Sequence, residues 1–128
     1  MIVVDTSALL AIAQDEPTTA AACAAAIEAE DRVLISAGTV AEALIVAGRR
    51  GARDEVQSLI ESLGFEVAPV TAAAAQRMAQ AYDRWGKGVN PAGLNFGDCF
   101  AYELAKTTDC PLLFVGDDFN RTDVKAAI

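Results

Sequence analysis

The chain contains no histidine. That absence removes Ser-His-Asp and Cys-His nucleophile systems and every metal site that depends on imidazole. Cysteine is scarce: Cys23, Cys99 and Cys110 have no CxxC spacing, so a structural zinc held by thiolates alone is not expected, and any disulfide scheme leaves one thiol over. Long apolar runs are lacking too. Each meets a polar or charged residue well before the ~18 positions that a membrane-spanning helix needs. No basic region followed by an apolar stretch and a cleavage site opens the chain, so a cytoplasmic location is expected. Positive charge is in deficit, with 18 acidic against 10 basic residues and a net charge of −8. Such a balance argues against general affinity for nucleic acid or anionic membrane, unless several acids converge on bound cations. Any chemistry must run mainly on carboxylates.

What is present reads as one domain over residues 1–128. Met1-Ile2-Val3-Val4 is a short buried strand ending at Asp5, and Thr6 or Ser7 is a candidate cap for the helical run Ala8 to Gln14. Thr18 to Glu30 is alanine-dominated and free of Gly and Pro, which predicts a helix. Arg32–Ser36 is a second strand and Thr39–Arg49 a helix. In the helix from Arg53, residues Val56, Leu59, Ile60 and Leu63 fall at the spacing of one buried face. Phe65–Val70 alternates as a third strand, with Pro69 marking an edge or a strand end. Thr71–Trp85 is helical, Gly86–Gly93 a loop, and Asn95–Thr107 helical again. Pro111–Val115 is a fourth strand, and the tail from Asn120 carries no clear pattern. Strands alternating with helices predict an α/β fold with a parallel sheet between helical layers.

The acids recur at one kind of position. Asp5 ends the first strand, Glu42 lies early in the helix after the second, Asp98 lies in the first turn of the helix from Asn95, and Asp117 and Asp118 follow the fourth strand. In an open parallel sheet these places share the edge at the carboxyl ends of the strands, where such folds bind ligands. Taken singly, each has a structural explanation. Asp5 can belong to a turn, Asp98 can answer the helix dipole, and Thr39-Val40-Ala41-Glu42 fits a capping box. Taken together, converging carboxylates with no cation between them must gain protons or bind metal. Oxygen-only ligands select hard ions such as Mg²⁺ or Mn²⁺.

Four segments carry a resemblance: Met1-Ile2-Val3-Val4-Asp5-Thr6-Ser7-Ala8, the helix bearing Glu42, Leu94-Asn95-Phe96-Gly97-Asp98-Cys99-Phe100-Ala101-Tyr102, and Leu112-Leu113-Phe114-Val115-Gly116-Asp117-Asp118-Phe119. In this order and length they resemble the PIN-domain ribonucleases, specifically the VapC-type toxins of bacterial toxin–antitoxin systems. The resemblance implies a PIN-like three-layer α/β/α sandwich with a sheet of four or five strands in the order 3-2-1-4-5. It also implies RNA hydrolysis at a Mg²⁺ or Mn²⁺ site, leaving 5′-phosphate and 3′-hydroxyl ends. By motif position, Asp5 and Asp98 are the implied metal ligands and Glu42 a ligand or water-positioning acid; the fourth catalytic acid is Asp117, substituting with Asp118 as helper, or Asp118 itself, and Thr6 and Ser7 are further helpers. The family pattern Asp-x-Asp-Phe has glycine at its first place here, Gly116.

An anionic substrate needs local positive charge. Arg49, Arg50 and Arg53 cluster at a helix junction and Arg84 with Lys87 borders the glycine-rich loop, while Lys106 and Arg121 are further phosphate-contact candidates. Tyr82 and Trp85 are candidates for stacking on bases. The resemblance further implies a VapB-type antitoxin, whose helix would enter a groove along Leu44, Ile45 and Val46, and a homodimer. Two other readings remain: a PIN-like binding module without activity, and an aspartyl-phosphate phosphatase built on Asp5. The phosphatase needs Asp-x-Asp, whereas position 7 is serine.

Overall fold

Ile2–Val4 forms a strand (β1) with all of its residues buried, as a β-branched run covered on both faces should be. It pairs in parallel with Val33–Ser36 (β2) on one side and Leu112–Leu113 (β4) on the other. Glu66–Ala68 (β3) pairs with β2 and completes the order β3-β2-β1-β4. The helices are Thr6–Ala13 (α1), Thr19–Glu28 (α2), Ala37–Arg49 (α3), Arg53–Ser62 (α4), Ala72–Trp85 (α5) and Phe96–Thr108 (α6). This computed structural model describes residues 1–128.

Alternation along the strands divides the core into two halves. Ile2, Val4, Val33, Ile35 and Leu113 pack with α1 to α4, around Leu9, Cys23, Ala47 and Val56. Val3, Leu34 and Leu112 face the other way, onto Met78 of α5 and Cys99, Tyr102 and Leu104 of α6. The result is the expected three-layer α/β/α sandwich. All three cysteines are buried free thiols, and no helix is long and apolar enough to cross a membrane.

Pro69 follows β3, which is the edge strand, so its missing N–H removes no ladder bond. The expected fifth strand is reduced to a single bridge between Leu112 and Ala126. There the Leu112 amide donates to the Lys125 carbonyl (2.8 Å) and the Ala127 amide to the Leu112 carbonyl (2.9 Å). The tail thus lies beside β4 without forming a regular strand.

Two helix starts differ from the sequence expectation, each because another side chain is better placed. The cap of α1 is Asp5, whose carboxylate accepts from the Ser7 amide, and not Thr6 or Ser7. The cap of α3 is Ser36, which accepts from the Gly38 amide. Helix α3 therefore begins before Thr39, the Thr39–Glu42 capping box does not form, and the Thr39 hydroxyl is buried without a partner. Thr18, at φ 61°, precedes α2 without a side-chain capping bond.

Candidate functional site

From β1 the chain winds outward through β2 to β3 and then returns to place β4 on the other side of β1. The sheet therefore has its switch point between β1 and β4, where open α/β sheets leave a crevice at their carboxyl edge. Asp5 stands at that point on the inner strand. It is 4% exposed, and its Oδ2 accepts from the Ser7 amide (3.0 Å) and the Ser7 hydroxyl (2.6 Å). The Oδ1 atom is buried and has no partner. Burial is the main force on this carboxyl and pushes it up to about 6; the Ser7 hydrogen bonds oppose the shift and the nearby Glu42 charge adds to it.

Ser7 also spans the crevice. Its Oγ accepts from the Val115 amide (2.9 Å), tying Asp5 to the segment leaving β4. Sequence reasoning gave Ser7 only a helper's role, because the link to Val115 exists only after the strands pair. That segment is fixed again by Phe119, which is 2% exposed and packs against Phe114 at a ring separation of 5.1 Å. Between the two anchors Gly116 turns at φ 97°, a conformation that favours glycine. Asp117 and Asp118 are therefore presented from a loop pinned at both ends.

Asp98 is placed by a capping box at the start of α6. The Asn95 Oδ1 accepts from the Asp98 amide (2.8 Å), and the Asp98 Oδ2 accepts from the Asn95 amide (3.0 Å). The structural explanation for Asp98 therefore holds. Burial pushes the Asp98 carboxyl up to about 7; the Asn95 amide holds it down, while the charges of Asp5, Asp118 and Glu42 push it further up. The charge of Glu42 felt at Asp5, and those of Asp5, Asp118 and Glu42 felt at Asp98, join the four acids in one electrostatic cluster. Asp117 turns to its own loop, where Oδ1 accepts from the Asn120 amide nitrogen Nδ2 (3.0 Å). Both Asp117 and Asp118 are exposed.

Glu42 projects from α3, and its Oε1 accepts from the Thr6 hydroxyl (2.6 Å). Thr6 and Ser7, adjacent in α1, thus hold one acid each. No three of the acids are drawn together into a ready-made ligand cage. The set nevertheless suits a hard cation in its chemistry: all donors are carboxylate oxygens, one buried oxygen is unpartnered, and Asp5 and Asp98 are raised by burial and by neighbouring carboxylates. Asp5, Asp98 and Glu42 are the residues that would hold it.

The basic candidates are dispersed. Arg53 donates from Nε to the Leu44 carbonyl (3.1 Å), and its guanidinium covers Gly48, so it closes the α3–α4 junction. Arg50 donates to the Gln14 side chain (2.8 Å). Arg84 lies over the Trp85 ring and faces Asp123 at 3.6 Å, a residue it shares with Lys106 at 3.3 Å. Arg121 donates to the Pro91 carbonyl (3.3 Å). Arg49 and Lys87 are exposed and make no ion pair. Trp85 is half-buried and donates to the Tyr102 hydroxyl (2.9 Å), which leaves it as a packing residue; Tyr82 is exposed.

A parallel sheet of order 3-2-1-4 with carboxylates gathered at its switch point defines a class, and the family comparison agrees with it. The PIN domain profile matches residues 2–125, and the chain belongs to that family. Within it the chain falls among the VapC ribonucleases. It is 42% identical over 127 residues to Ribonuclease VapC36 of Mycobacterium tuberculosis, covering 97% of this chain and 91% of that one. It is 39% identical over 127 residues to Ribonuclease VapC of Mycolicibacterium smegmatis, covering 98% of each. Among solved structures, Mycobacterium tuberculosis VapC20, described as a sarcin-ricin loop cleaving toxin, superposes with a TM-score of 0.79 at 16% identity, covering 97% of this chain and 96% of that one. A toxin–antitoxin complex from Klebsiella pneumoniae gives 0.72 at 16% identity, covering 96% and 93%. At that identity these two structures speak for the fold.

Proposed function

We propose that this protein is the toxin of a type II toxin–antitoxin pair, a divalent-metal-dependent endoribonuclease whose catalytic acids are Asp5, Glu42 and Asp98, with Asp118 completing the set. The observation that carries the reading is Asp5: a carboxylate at the switch point, buried, pushed up to about 6, with one oxygen unpartnered. The Oδ2 atom caps α1, but that cap does not require a second, buried and unpartnered carboxylate oxygen, which is costly to keep without a ligand.

A bound Mg²⁺ or Mn²⁺ would supply an activated water at neutral pH and offset negative charge on the phosphodiester under attack. The chain's own residues prepare the place. Ser7 and the Asn95 amide fix the orientation of Asp5 and Asp98, and Thr6 fixes Glu42. Asp118 adds charge from the pinned loop, and between it and Asp117 the effect on Asp98 favours Asp118 as the fourth acid. Arg49 and Lys87, being unpaired, are the favoured phosphate contacts among the basic candidates. Ser7 is engaged with Asp5, and the aspartyl-phosphate reading loses its second acid there.

Purified protein should cut RNA in Mg²⁺ or Mn²⁺, stop when EDTA is added, and leave 5′-phosphate ends. If Asp5→Asn cuts as fast as the parent, the site assignment is wrong.

Two apolar surfaces are the proposed partner sites, one beside the acids and one on α5 and α6. One is a cleft walled by Ile45, Val46, Phe96 and Phe100 with Glu42 at its end. Ile45 and Phe96 are 53% and 72% exposed there, so an apolar antitoxin segment lying in the cleft would reach the acids. Leu44 and Val46 also contribute to the core, which narrows the expected groove to its Ile45 side. The other surface, on α5 and α6, is lined by Val70, Met78, Tyr82, Phe96 and Phe100 and suits a second copy of the chain. Light scattering of the isolated toxin should give a dimer that Tyr82→Glu converts to a monomer. A monomeric parent would remove the homodimer from this reading.

A further inference from the structure

Helix α6 carries a glycine, Gly97, immediately before Asp98. Nothing in the backbone asks for it. Its φ is not positive, unlike those of Gly51, Gly64, Gly88, Gly93 and Gly116, and glycine is among the poorest helix formers. The reason lies across the α3–α6 contact. A β-carbon built at Gly97 would overlap the Glu42 carboxylate, and the nearest atoms it meets are Oε2, Cδ and Oε1 of that one residue. Gly97 is itself buried. A second glycine, Gly38, brings α3 against α6 at Phe100, so the two helices are already close where Glu42 must pass.

We infer that Gly97 is a positioning residue for the acid centre: its missing side chain is the seat of the Glu42 carboxylate, which Thr6 then locks by its hydrogen bond. The inference rests on the nuclease reading for its functional consequence, but not for its geometry. Glu42 enters the site from α3, flanked by α1 through Thr6 and by α6 through Gly97. Its carboxylate therefore has one place to stand, beside Asp98 in the next position of the chain. A methyl group at 97 meets the far end of a flexible side chain, so the protein remains folded and Glu42 swings out of its place. Misplacement of a reacting group by about an ångström costs roughly 10²-fold in rate.

The test is a double-mutant cycle between Gly97→Ala and Glu42→Asp, since the shorter acid withdraws from the added methyl. In chemical denaturation, Gly97→Ala should shift the midpoint differently in the Glu42 and Glu42→Asp backgrounds, with a smaller loss where the acid is short. This readout needs no activity. In RNA cleavage, Gly97→Ala should lower kcat roughly 10²-fold with KM little changed in the Glu42 background, and by less than about threefold in the Glu42→Asp background. Additive shifts in both measurements would overturn the inference, as would a Gly97→Ala protein that cuts at the parental rate. If the parent itself cuts no RNA, the nuclease reading fails, and the denaturation cycle alone then decides whether Gly97 seats Glu42. Should Gly97→Ala not fold in the Glu42 background, Gly97→Ala in the Glu42→Asp background, expected to fold and to keep the activity of Glu42→Asp within about threefold, replaces it; failure of that protein to fold would also overturn the inference.

Discussion

Asp98→Asn is expected to abolish RNA cleavage, by roughly 10²- to 10³-fold or more in kcat, while leaving the protein folded. The two halves of this expectation come from different atoms. Asparagine at 98 keeps an oxygen for the Asn95 amide and keeps its own backbone donation to the Asn95 side chain, so the capping box that starts α6 survives. What disappears is the negative charge. In the parent that charge is held at a buried position, raised to about 7 by burial and by Asp5, Asp118 and Glu42. Its removal relieves repulsion, so at pH 8 the variant should unfold at a temperature no lower than the parent. An Asp98→Asn protein that is fully active would show that Asp98 is only a cap. One that is inactive because it no longer folds would show that the charge, and not the cap, holds the helix.

The second large effect is the response of stability to pH and to metal. Asp5 and Asp98 have folded pKa values of about 6 and about 7, above their ordinary value of 3.8. Between those limits the native protein holds more protons than the unfolded chain, so stability falls as pH rises from about 4 through 7. In metal-free buffer the unfolding temperature should therefore be higher at pH 5.5 than at pH 8. A divalent cation competes for the same carboxylates and binds better as they ionise. Mg²⁺ or Mn²⁺ at a hundredfold excess over its Kd at pH 8 should stabilise the protein there by about 2.7 kcal/mol, and the same concentration should stabilise it less at pH 5.5, where Kd is weaker, so reducing or reversing the slope. Differential scanning fluorimetry in EDTA and in Mn²⁺ across this range reads both effects. A curve with the same slope in each buffer would contradict them.

Much of this site was legible in the sequence because its acids sit where strand and helix patterns change. The apolar run Ile2–Val4 marks Asp5 as a strand-end acid, and Leu94–Tyr102 marks Asp98 as a first-turn acid. Both inferences require only local structure. What was not legible depends on distant partners. Ser7 reads as a helix cap until β1 and β4 pair and bring the Val115 amide to its hydroxyl. Arg53 reads as a phosphate contact until the turn after α3 folds it back onto the Leu44 carbonyl. Thr39-Val40-Ala41-Glu42 satisfies a capping pattern, but Ser36 takes the cap earlier and frees Glu42 to reach Thr6, a side chain far away in sequence. The choice between Asp117 and Asp118 was closed to sequence for the same reason, since it depends on how the loop after β4 folds at Gly116. The tail gives little sign of strand because only one of its residues completes a bridge with β4.

The central claim is that the acids at the switch point hold a divalent cation. Calorimetric titration of Mn²⁺ into metal-free protein at pH 8 tests it most directly, with Asp5→Asn beside the parent. The parent should show saturable binding with release of protons, and Asp5→Asn should lose it; equal binding by the two proteins, or none by the parent, would contradict the account.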